Sequence, residues 1–216
     1  MMRKLLAITL LLVAAGSTKA AAQGQVGENN QLAVTIGRTF ISDQGVPNTN
    51  FFDNIVRFGK GLTFAGNYSR KLKRFNWAGA ALSVEMPVIY NHDEDIHYSL
   101  NVVPQQYSSL FVTPAVRFSV FEGLAFEPWV SFGGGFGHYV ASNTLIFGGR
   151  NPGHRVKTVG ALQEGVGFDV PIPGVHFLLF RFEARDVWAG VPPINVNTGR
   201  TKQHNYYVAG GAVFRF

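Results

Sequence analysis

Arg181-Phe182-Glu183-Ala184-Arg185 sets a charge on every second residue. In an extended strand that spacing turns all three charges to one face. Buried together, opposite charges at this spacing make ion pairs, because enclosed charges persist when they are partnered. Glu85, Arg117 and Glu127 stand singly in other alternating stretches. With Arg181, Glu183 and Arg185 they form a set of three acids and three bases, hence a neutral network. Two other groupings have the residue types of a reactive or metal-binding centre. His92-Asp93-Glu94-Asp95-Ile96-His97 offers imidazole and carboxylate donors to a divalent cation. Its spacing matches no compact metal motif, so a hydrated loop is expected and no metal site is assigned. His138 and Ser142 carry the groups of a hydrolase. No compact motif surrounds them, and His138 falls on the bulky, apolar parity. No catalytic residue and no cofactor are assigned, and the expectation is a protein that is not an enzyme.

The elements that hold these residues are strands. Read at a period of two, the chain divides into eight segments: Gln31–Ser42, Gly61–Leu72, Ala78–Tyr90, Gln106–Val120, Ala125–Val140, Lys157–Val170, His176–Trp188 and Asn205–Phe216. Three connections are short: Lys73–Trp77, Phe121–Leu124 and Pro171–Val175. Four are long: Asp43–Lys60, Asn91–Gln105, Ala141–Val156 and Ala189–His204. This alternation predicts an all-β fold, an eight-stranded antiparallel up-and-down transmembrane barrel. Short turns would face the periplasm and four long loops the outside.

The faces of the strands decide between a soluble and a membrane barrel. In the second segment Leu62, Phe64, Tyr68 and Leu72 oppose Thr63, Ala65, Asn67 and Ser69. In the fourth, Leu110, Val112, Val116 and Phe118 oppose Ser109, Thr113, Ala115 and Arg117. The small, polar face is too poor in Lys and Glu for a solvated exterior. It suits the narrow interior of eight strands, which side chains fill. The six network charges share that inner parity. On the lipid face each Arg at mid-depth would cost about 2–4 kcal/mol. Arg38, Arg70, Glu164 and Asp186 break the pattern, and a β-bulge near Gly165 would turn Glu164 inward. Aromatic residues gather at segment ends, among them Trp77, Tyr90, Tyr107, Trp188 and Tyr206, as interfacial girdles do.

Composition agrees. The chain is 46% hydrophobic and only 15% charged, against about 25% charged in soluble domains, with its apolar residues dispersed. Cysteine is absent, so an exported chain would rely on a closed ladder of backbone hydrogen bonds. Arg3 and Lys4, the apolar run Leu5–Gly16 and the small residues Ala20–Ala22 read as a signal peptide over 1–22, cut before Gln23. The remaining 23–216 is one barrel domain. Without Arg3, Lys4 and Lys19 the formal charge falls from +6 to +3, which excludes a nucleic-acid-binding signature.

The chain closes on Ala212-Val213-Phe214-Arg215-Phe216. That ending resembles the C-terminal signal of bacterial outer-membrane barrels, with Ala212 smaller than usual. Arg181–Asp186 resembles the penultimate strand of the opacity-protein and outer-membrane-protein-A superfamily. The resemblance implies that the barrel-assembly machinery reads Phe214 and Phe216, and that the chain resides in the outer membrane. A monomer with a structural or surface-interaction role is expected. A small porin-like conduit for ions or solutes is the alternative, and a lipid A-modifying enzyme a more distant one. Outer-membrane lipid and lipopolysaccharide are the expected surroundings, with Arg150, Arg155, Arg200 and Lys202 on the long loops facing lipid phosphates. Phe51, Phe52, Phe58, Ile146 and Phe147 add an aromatic and apolar loop surface.

Overall fold

The computed structural model describes residues 29–47 and 53–216. The signal peptide read over 1–22 and the loop residues Phe51 and Phe52 lie outside the described residues. The described residues form eleven strands: β1 Asn30–Phe40, β2 Gln44–Gly45, β3 Ile55–Phe58, β4 Leu62–Arg74, β5 Ala81–His97, β6 Gln106–Val112, β7 Ala115–Ser119, β8 Glu127–Ala141, β9 Val156–Ile172, β10 Val175–Gly190 and β11 Lys202–Arg215. All pairings between them are antiparallel.

Nine of these runs make a closed wall of eight strands. β1 pairs with β4 on one side and β11 on the other. β5 follows β4, and β8 to β11 follow in order. β6 and β7 are one wall strand broken at Thr113-Pro114. The register against β5 runs unbroken across the gap, from Val88↔Val112 to Glu85↔Ala115. Pro114 has no N–H to give the ladder, yet its carbonyl still accepts from Gly134 N–H at 3.1 Å. Closure leaves no sheet edge. β2 and β3 stand outside the wall in the first long loop, where β3 pairs with the end of β5.

The turns at the end that carries Asn30 and Phe216, the termini end of the described barrel, are tight because their residues allow it. Pro173-Gly174, with Gly174 at φ 80°, joins β9 to β10, with Pro and Gly in the central positions of a type II turn. Between β4 and β5, Ala78 and Gly79, at φ 50° and 55°, are the left-handed central pair of a turn closed by Ala80 N–H donating to Trp77 O at 3.0 Å. At the loop end β5 runs on to His97, so the second long connection is shorter than the sequence reading gave.

Side-chain alternation sorts the two faces. Thr35, Asn67, Ser69, Ser83 and Ser131 are buried inside, whereas Val34, Ile36, Val130, Phe132, Phe180 and Phe182 are each more than half exposed outside. Such a belt far exceeds the apolar patches that soluble monomers carry and suits hydrocarbon. Glu164 belongs to the outer face. Its register runs straight, with Glu164 opposite Asp186 and opposite Phe132, so the bulge expected near Gly165 is not formed. The chain has no native thiol, so single cysteines can carry a polarity-sensitive dye. In lipid vesicles Ile36→Cys is expected to emit in the blue and to be quenched by lipid-borne quenchers. Water-like emission at Ile36 would contradict the assignment of the faces.

Candidate functional site

The barrel interior at the termini end is a layer of charge. Asp169, on β9, sits at its centre and is wholly buried. Its Oδ1 accepts from Arg181 Nε at 2.8 Å, and its Oδ2 accepts from Arg181 Nη2 and Arg117 Nη2, both at 2.8 Å. Arg117 Nη1 donates to Gln31 Oε1 at 3.2 Å. Arg185 forms a second centre. Its Nη1 donates to Glu85 Oε1 at 2.8 Å and its Nε to Glu183 Oε2 at 3.0 Å. Glu85 also receives Asn67 Nδ2, and Glu183 receives the Thr35 hydroxyl, both at 2.8 Å. At the termini edge Glu127 pairs with Arg215 and accepts Gly123 N–H.

Four acids therefore face four arginines, and bidentate guanidinium–carboxylate geometry recurs. Trp129 lies among them. The guanidinium carbons of Arg117, Arg181 and Arg185 stand 4.7, 5.1 and 5.1 Å from its ring centroid, within cation–π range. Gly167 makes room, since a Cβ there would lie 2.5 Å from the Trp129 ring.

All six charges read from the sequence point inward and are at most 4% exposed. They do not form one network by themselves. Arg117 and Arg181 meet only through Asp169, and Glu127 is held by Arg215. Both partners escaped the sequence reading. Each lies on the inner parity of its strand, which was the available signal. Asp169 is next to last in its segment, and Arg215 stands between the phenylalanines of the C-terminal pattern. Those phenylalanines, Phe214 and Phe216, lie on the outer surface. Phe216 exchanges backbone hydrogen bonds with Asn30, both 3.0 Å, where the wall closes.

Above the charges the interior becomes aromatic and then apolar. Tyr139 meets Tyr107 and Phe111 edge-on at 5.7 Å. Ile41, Val56, Phe58, Ile96, Val103 and Ile194, from the outer extensions and loops, pack with them into one buried cluster. The loops are also tied to one another. Asn101 Nδ2 donates to Gly148 O at 3.0 Å, and Asn195 Nδ2 donates to Asn151 Oδ1 at 2.8 Å. Arg150, Arg155, Arg200 and Lys202 are exposed on this rim.

The other candidates separate. His138 lies on the outer face with Nδ1 2.9 Å from the Thr158 hydroxyl, while Ser142 Oγ donates to Thr144 O at 2.6 Å. The structure does not bring the two together. His92–His97 is strand, correcting the expected hydrated loop. His92 and Asp93 are exposed and Glu94 is buried. On the outer face Arg38 donates to Lys60 O at 2.7 Å. Asp186 lies 2.6 Å from His204, whose ring stacks between Trp188 and Tyr206.

No family model matches the sequence, and none of the curated proteins matches it. Solved structures do. Outer membrane protein OprG from Pseudomonas aeruginosa is similar at a TM-score of 0.50 and 11% identity, over 88% of this chain and 97% of that one. Neisserial surface protein A is similar at 0.49 and 10%, over 87% and 97%. At 11% identity the likeness to OprG is one of fold, and it agrees with the ring of strands. The chain has the fold of the eight-stranded outer-membrane β-barrels.

Proposed function

We propose that this chain is a closed outer-membrane barrel with a structural and surface-interaction role, not a conduit. One observation supports this above the rest: the interior is filled at both levels. At the termini end the balanced layer of Glu85, Arg117, Glu127, Asp169, Arg181, Glu183, Arg185 and Arg215 surrounds Trp129. At the loop end an apolar cluster borne partly by the loops covers the tyrosines. An ion crossing would have to separate buried ion pairs, which is expensive. The exposed feature is then the loop rim, tied by Asn101 and Asn195 and carrying Arg150, Arg155, Arg200 and Lys202 toward lipopolysaccharide phosphates. In this reading the protein is a monomer, is not an enzyme, and is inserted by the barrel-assembly machinery through its Phe214 and Phe216 end.

Planar-bilayer recording tests the reading. The refolded barrel is expected to stay silent, with no steps of reproducible size. Steady single-channel steps that change on Arg181→Ala would establish the porin-like alternative instead.

A further inference from the structure

One buried carboxylate stands apart from the ion-pair layer. From Ala81 to Asn91 the odd-numbered residues of β5 face inward. The register against β6 then slips between Asn91 and Glu94. His92 and Asp93 both remain exposed, and Glu94 takes an inward position at 0% exposure. Without this bulge Glu94 would point outward with His92. Bulges re-aim side chains in this way next to functional sites. Glu85, Glu127, Asp169 and Glu183 each hold an arginine. Glu94 forms no ion pair among the described residues.

Burial, with Asp95 and Asp93 nearby, pushes the Glu94 carboxyl up to about 7, and two donors hold it against a further rise. Its Oε2 accepts Gly61 N–H at 3.1 Å and Asn91 Nδ2 at 2.8 Å, and such donors favour the ionised form. Gly61 permits the approach, because a Cβ there would lie 2.1 Å from Asn91 Oδ1 and 2.6 Å from Glu94 Oε2. Two oxygens, Glu94 Oε1 and Asn91 Oδ1, are buried and have no hydrogen-bond partner. Both are acceptors, so they call for a donor or a cation, and the Tyr107 hydroxyl nearby is likewise without a partner. The nearby bases turn away: Arg38 donates to the Lys60 carbonyl, and the Lys60 ammonium lies over the Phe40 ring. Asp93 and Asp95 flank Glu94 from the exposed side, and Tyr107 faces it across the ladder.

We propose that Glu94 and Asn91 form a buried site for a small monovalent cation, of sodium or potassium size, at the loop end of the barrel interior. Oxygen donors suit such hard ions. A single enclosed charge selects the monovalent class, since a divalent ion would leave net charge beside Ile96 and the apolar cluster. This inference stands whether or not the barrel conducts.

The test uses the barrel refolded in lipid vesicles at mildly alkaline pH. Unfolding in urea is followed in sodium, potassium and choline chloride at equal ionic strength. Sodium or potassium is expected to slow unfolding at least ~3-fold relative to choline, through binding to the folded state alone. Glu94→Gln should abolish the difference while keeping heat-modifiable migration. Thallium(I) NMR, with thallium as the potassium mimic, should show a bound signal that sodium displaces, so the test survives if the variant fails to fold. Equal unfolding rates in the three salts would overturn the proposal. So would a protonated-carboxyl infrared band that Glu94→Gln removes at that pH.

Discussion

Asp169→Asn is expected to lower the stability of the folded barrel by about 3–5 kcal/mol, the scale for breaking a buried pair from one side. Asp169 accepts three hydrogen bonds from two arginines. Its removal leaves Arg117 and Arg181 with no carboxylate between them in a space that excludes water. The cost is that of stranded charge, which exceeds the worth of any one contact. Glu183→Gln should cost less, because Arg185 keeps Glu85 at 2.8 Å. Urea unfolding in vesicles gives both values. A double variant, Asp169→Asn with Arg181→Met, should recover part of the loss, since it removes one stranded charge along with its partner. Equal stability of Asp169→Asn and the native chain would mean that the layer is not a network.

Trp129→Ala should be nearly as damaging, at about 3–5 kcal/mol, the range for emptying a large aromatic site in a packed interior. The ring is 3% exposed and is shared by three guanidinium groups. Its loss removes packing and also the π-face that separates like charges. Trp129→Phe keeps a face and should retain much of the stability. Gly167→Val attacks the same contact from β9, where a side chain would run into the ring, and is expected to resemble Trp129→Ala. Trp77 and Trp188 lie on the outside, so loss of the buried indole can be followed by its fluorescence. If the alanine variant unfolds at the native urea concentration, the interior is looser than these distances require.

Leu62 against Thr63, or Val116 against Arg117, discloses an inside and an outside because side chains of a strand alternate whatever the strand pairs with. The same rule placed Glu85, Arg117, Glu127, Arg181, Glu183 and Arg185 inward before any partner was known. Length alternation of the connections gave the count of walls. Reading failed where the period itself changes or where a charge sits at a strand end. No bulge forms at Glu164, where the sequence suggests one, while a bulge three wall strands away, at His92-Asp93, is not legible in the sequence and buries Glu94.

The sequence alone therefore determined the walls and their two faces, because alternation is a property of neighbouring residues along the chain. It also determined that the inner charges balance in kind. Only the tertiary structure decided who meets whom. Asp169 joins Arg117, 52 residues away, and Arg215 closes on Glu127, 88 residues away. Such pairs depend on how eight strands stagger around a ring, and that stagger is set by the closed ladder of hydrogen bonds as a whole.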